Sequence, residues 1–68
     1  MVSILIHVAP EKIALFKAII ESYDNIATMR TENPALNHVR LWFDPESAGD
    51  IDRIIAALAP EFGLHRIA

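Results

Sequence analysis

Three histidines, three arginines and one tryptophan carry most of the chemistry this chain could perform. His7, His38, His65, Arg30, Arg40, Arg66 and Trp42 all fall in runs that read as β-strands. Imidazoles on neighbouring strands can lie about 5 Å apart, so His7 and His38 could share an ion if their strands pair. A third ligand would require His65 to face the same way. No Glu-x-x-His or His-x-His spacing accompanies them, and neither a metal nor a cofactor is assigned. The arginines with Trp42 resemble the basic-plus-aromatic surface on which single-stranded nucleic acid stacks. The first strand adds no second aromatic, and only Lys12 and Lys17 supply lysine.

Acid–base catalysis needs two groups held in one cleft with separated pKa values. The carboxylates Glu11, Glu21, Asp24, Glu32, Asp44, Glu46, Asp50, Asp52 and Glu61 instead fall on helices, turns or strand ends. There they read as helix N-terminal charges and solvated faces. Ser22, Ser47 and Thr28 have no evident activating partner, and no glycine-rich loop is present to cradle a phosphate. No catalytic residue is named, and no enzyme activity is expected.

The elements that position these side chains follow from periodicity. The sequence has 68 residues, of which 53% are hydrophobic and 22% charged, with formal net charge −3 and no cysteine. Such a composition reads as one globular domain over residues 1–68, without disulfides or thiolate metal sites. Its apolar stretches are too short for a membrane span, and a cytoplasmic setting is expected. Net negative charge speaks against a dedicated nucleic-acid binder. A core this small is marginal alone, which favours self-association.

Val2, Ile4, Ile6 and Val8 alternate with Ser3, Leu5 and His7, the period of a strand. Pro10 and Glu11 suit the first turn of a helix. Ile13, Phe16, Ile20 and Tyr23 supply its apolar stripe, Leu15 and Ile19 widen it, and Asp24-Asn25 is the expected stop. Ile26 to Thr31 reads as a second strand and Glu32 to Asn37 as a turn around Pro34. His38 to Phe43 is a third strand. A second helix follows Asp44-Pro45, with Ser47-x-x-Asp50 as a possible cap. Its stripe is Ile51, Ile54, Ile55, Leu58 and Phe62, ended by Pro60 and Gly63, and Leu64 to Ala68 forms a last strand.

The order β-α-β-β-α-β is the split βαβ plan of ferredoxin-like α+β domains. Right-handed crossovers then put both helices on one face of a four-stranded antiparallel sheet of order 4-1-3-2. The other face is expected to lie bare. The pleat assigns to it Ser3, Leu5 and His7, then His38, Arg40 and Trp42, with Ile26, Thr28 and Arg30 from the second strand. For the last strand the preferred register buries Ile67 and exposes Leu64 and Arg66; the alternative buries Leu64 and exposes His65 and Ile67. Contiguous apolar area with a polar rim marks an interaction site, and Trp and Arg are enriched at interface hot spots. The candidate face is therefore Leu5, His7, Ile26, Arg30, His38, Arg40 and Trp42.

The runs APEKIALFKAIIESYDNIATMRT, VRLWFDP and IDRIIAALAP together resemble a small uncharacterised bacterial family, a domain of unknown function, over nearly the whole chain. That resemblance implies a ferredoxin-like fold and carries over no catalytic residue. The layout is also similar to amino-acid-binding ACT domains, which associate through their sheets and bind small effectors near the first strand–helix loop. That loop usually supplies glycine, whereas here it reads His7-Val8-Ala9-Pro10-Glu11. Acylphosphatases share the plan but carry an arginine-bearing phosphate loop, and heavy-metal domains of this shape carry Cys-x-x-Cys; neither motif occurs here. The first expectation is a homodimer or higher assembly of this chain, partly through its open face or an edge strand, with the apolar arc of the first helix, Leu15 at its margin, as a second candidate contact. A regulatory domain binding a small anionic ligand or amino acid is the second, and a nucleic-acid module the third.

Overall fold

A computed structural model of the chain describes residues 1–23 and 26–68. The stop expected at Asp24-Asn25 lies outside the described residues. The elements are β1 (Val2–His7), α1 (Ile13–Ser22), β2 (Thr28–Asn33), β3 (His38–Phe43), α2 (Ala48–Phe62) and β4 (His65–Arg66). They form one four-stranded antiparallel sheet of order β2-β3-β1-β4, the expected topology. β1 and β3 are central and pair over six residues, from Val2 opposite Phe43 to His7 opposite His38.

The period-two pattern sorts the central strands as expected. Ile4, Ile6 and Val8 of the β1 run and Val39, Leu41 and Phe43 of β3 are buried. They meet Phe16 and Ile20 of α1 and Ile51 and Phe62 of α2 in one core cluster. The Phe16 and Phe62 rings, 6.0 Å apart between centroids, join the two helices. Both helices thus lie on one face of the sheet.

Several boundaries depart from expectation. Pro10 to Lys12 form a 3-10 turn, with Pro10 in the first position, before α1 proper. Tyr23 follows the helix and is exposed rather than part of its stripe. β2 begins two residues late and runs on through Glu32 and Asn33, which were assigned to the turn. It does so because the register shifts between Thr31 and Asn33, leaving Glu32 as an extra residue, a bulge of the kind common on edge strands. Ile26 consequently precedes the strand and packs against the core, not on the open face.

A 3-10 turn over Pro34–Leu36, capped by the Asn33 side chain, ends at Asn37 with φ 58°. Asn tolerates that left-handed conformation better than most residues. The hydroxyl of Ser47 caps nothing; a 3-10 turn over Pro45–Ser47, closed by the Ser47 N–H on the Asp44 carbonyl at 2.8 Å, leads into α2 instead. Pro60 sits inside α2 rather than ending it. Gly63 alone ends the helix, at φ 61°.

That ending corrects the last strand. After Gly63 the N–H of Leu64 returns to the Ala59 carbonyl at 3.2 Å, the six-to-one bond of a Schellman motif, which is often accompanied by an apolar contact from this residue to the last helical turn. Leu64 is buried, at 7% exposure, while Ile67 is 44% exposed. The alternative register therefore holds. His65 pairs with His7 and Arg66 with Ile6, so His65 and Ile67 take the open-face parity and Arg66 takes the helix-side parity.

Candidate interaction face

The open face is built from three rows running across the strands. Ser3, Trp42 and Thr28 form the row nearest the start of β1, with register pairs Ser3–Trp42 and Thr28–Trp42. Met1, which keeps the same parity, lines a shallow groove of about 260 Å³ with Thr28, Arg30 and Trp42. The middle row carries Leu5, Arg40 and Arg30, each opposite the next. Ile67 joins it from the edge, its N–H donating to the Leu5 carbonyl at 2.7 Å. The third row is His65, His7 and His38.

Arg40 is the structural centre of this face. Its Nε donates to Glu32 Oε2 at 2.5 Å, its Nη2 to Glu32 Oε1 at 3.0 Å, and its Nη1 to Ser3 Oγ at 3.1 Å. One guanidinium thus ties β2, β3 and β1 together with the planar fork that suits a carboxylate. The hydrogen bond from Arg40 holds the Glu32 carboxyl below its usual range, with the charges of Arg40 and His38 adding to the effect and partial desolvation opposing it. The same bond raises Arg40 above its ordinary value. Arg40 is therefore committed within the chain. Arg30, its like-charged register partner, makes no carboxylate contact among the described residues.

Of the seven residues expected on this face, Leu5, His7, Arg30, His38, Arg40 and Trp42 are brought together, and Ile26 is not. Leu5, His7, His38, Arg40 and Trp42 are half-buried, whereas Arg30 is exposed. Glu32, Ser3, Met1, His65 and Ile67 belong to the face as well. The signal for Glu32 lay in its spacing from Arg30, which keeps both residues on one side of an extended strand. Arg66 does not contribute.

A second depression, of about 480 Å³, lies between α1 and the outer edge of β2, lined by Lys17, Glu21, Tyr23, Ala27 and the strand residues Thr28 to Thr31. Among the described residues no helix is long and apolar enough to cross a membrane.

Strand order, paired helices and one bare sheet face define the class: a ferredoxin-like α+β domain. Within it, the family model described as Domain of unknown function (DUF4911) matches residues 6–61. The chain belongs to that family. Among curated proteins and solved structures nothing matches.

Proposed function

We propose that this domain is a self-association module whose contact is the open sheet face, anchored by Trp42. The observation that carries the reading is apolar surface gathered on a face that neither helix covers. Leu5 and Trp42 lie there only half-buried, flanked by Met1 at 80% and Ile67 at 44% exposure. Polar groups beside them are Arg30, His38 and the Arg40–Glu32 pair. A large apolar anchor ringed by polar groups is the usual layout of an interface hot spot. A two-fold contact also suits a small core that gains stability from a partner. Neutralisation of Arg40 by Glu32 favours this reading, because it leaves Arg30 as the one arginine of the face without a carboxylate partner among the described residues.

The test is the molecular mass by light scattering across micromolar concentrations. A concentration-dependent dimer or larger species is expected, and a monomer throughout would end the proposal. The absence of cysteine suits a reducing, cytoplasmic setting for such a module.

One observation favours a second reading, an ACT-like sensor of a small anion or amino acid. Arg30 lies beside the groove lined by Trp42, Thr28 and Met1 and has no carboxylate partner among the described residues. A carboxylate ligand there should raise the melting temperature, and Arg30→Ala should abolish the rise. A nucleic-acid role ranks third, since Arg40 is engaged and Arg66 takes the other parity.

A further inference from the structure

β2 is the long open edge of the sheet. In the order β2-β3-β1-β4 its six residues pair with β3 alone, whereas β4, the other edge, has only two. Thr28 to Thr31 pair with β3 without interruption, and the bulge follows only at Glu32. The outer backbone of this stretch presents the N–H and carbonyl groups to which another strand can add. α1 stands back from this edge. Thr31 has helix-side parity, opposite the buried Val39, yet it is exposed. Beside it the depression of about 480 Å³ opens between α1 and β2, leaving room for the side chains of an added strand.

The charges of β2 select the strand that fits. Arg30 and Glu32 lie two residues apart on the open-face side, and Arg30 has no carboxylate partner among the described residues. Glu32 accepts from Arg40 and retains lone pairs for a second guanidinium. When a second β2 adds antiparallel with its helices on the same side of the sheet, residues of like parity stand opposite each other. Centring the pair on Arg30 sets arginine against arginine, and centring it on Glu32 sets carboxylate against carboxylate. Centring it on Thr31 puts each Arg30 opposite the partner's Glu32, with threonine facing threonine between them. Opposite charges and threonine pairs stabilise such positions, and like charges directly opposite destabilise them. Lys17 and Glu21, one turn apart on α1, line the depression with neither in an ion pair among the described residues. The groove thus also carries both signs, as a self-complementary contact requires.

We propose that the outer edge of β2 is a second self-contact, in which the β2 strands of two copies pair antiparallel about Thr31 and join their sheets into one. This contact rests on the self-association proposed above but uses a different surface from the Trp42 face. The two contacts together build species larger than a dimer.

Thr31→Cys tests the register directly. Residues directly opposite in an antiparallel pair have Cα atoms about 4.5–5.5 Å apart, a separation that a disulfide spans, and the chain has no cysteine of its own. Under mild oxidation at micromolar concentration the variant should form a covalent dimer at least about tenfold faster than Ala56→Cys, because pairing raises the local thiol concentration toward the millimolar range. Ala56 is an exposed position on α2, away from both contacts. Adding Arg30→Glu sets carboxylate against carboxylate and should slow the Thr31→Cys cross-link about tenfold. Unchanged circular dichroism of each variant excludes unfolding as the cause. The cross-link is measured in the Trp42→Ala chain as well, where it should persist. A Thr31→Cys chain that oxidises no faster than Ala56→Cys, or a rate indifferent to Arg30→Glu, overturns the β2 pairing. So does a cross-link that vanishes with Trp42→Ala. Failure of the open face, an association unchanged by Trp42→Ala, leaves the cross-link in place, so the two contacts fail separately.

Discussion

Truncating Trp42 to alanine is the most direct perturbation of the proposed contact. Trp42 lies between Ser3 and Thr28 in register and belongs to no part of the buried core, so its loss leaves the helix–sheet packing intact. In a two-fold interface each copy contributes one such ring. Truncation of a hot-spot residue costs about 2 kcal/mol or more; twice that is about 4 kcal/mol, or nearly 10³-fold in dissociation constant at about 1.4 kcal/mol per tenfold. Sedimentation velocity over a concentration series measures that shift, with circular dichroism confirming the fold. Leu15→Ala on the exposed side of α1 serves as the comparison and should leave association unchanged. A Trp42→Ala chain that associates as tightly as wild type would refute the open face as the contact, and a loss confined to Leu15→Ala would move the contact to α1.

Other substitutions test how the face is held. Gly63→Ala places a β-carbon on a residue at φ 61°, 3.4 Å from the Ala9 β-carbon. It should destabilise by about 1–2 kcal/mol, lowering the melting temperature by roughly 4–8 °C per kcal/mol for a domain of this size. Phe62→Ala removes a ring buried to 1% exposure and should cost about 3–5 kcal/mol. That is comparable to the whole stability of many cores this small, so loss of cooperative thermal unfolding is the expected result. Asn37→Gly should be tolerated and Asn37→Val should not, since residue 37 holds φ 58°; chemical denaturation gives the order.

The fold was legible because alternation in VSILIHV and HVRLWF fixes both the strands and which side of each meets the helices. Those two runs are central, so errors elsewhere could not alter the topology. Edge elements were less legible because their side chains are less constrained by burial. β2 was displaced by two residues since Ile26 looked like a strand residue, yet it serves the core from the loop before the strand. Glu32 is obscured in the sequence by the turn signal of Pro34 just beyond it; the bulge absorbs the extra residue and keeps Glu32 facing Arg40. The register of β4 turned on Leu64 against Ile67, two similar apolar residues. What decides it is Phe62-Gly63-Leu64, where a left-handed glycine sends the following apolar residue back under the helix. That local signature was present in the sequence and outranks general hydrophobicity.

Among the described residues Glu32 is the one carboxylate that lies within a strand, and that exception governs the face. Without it, Arg30 and Arg40 would stand directly opposite each other as like charges, an unfavourable pairing, and two copies would meet arginine against arginine. With it, Arg40 is neutralised and fixed across three strands. Glu32→Gln should therefore leave the core intact while weakening self-association several-fold, and added salt should restore part of the loss by screening the exposed charge. Acid should act in the same direction. The Glu32 carboxyl lies below its usual range when folded, so its contribution is complete above the ordinary carboxylate pKa and fades as pH falls through the lowered value. Association measured at descending pH should weaken in that window for wild type, and the carboxylate-linked part of that weakening should be missing in Glu32→Gln. An identical acid response in both chains would show that the Arg40–Glu32 pair does not set the charge of the contact.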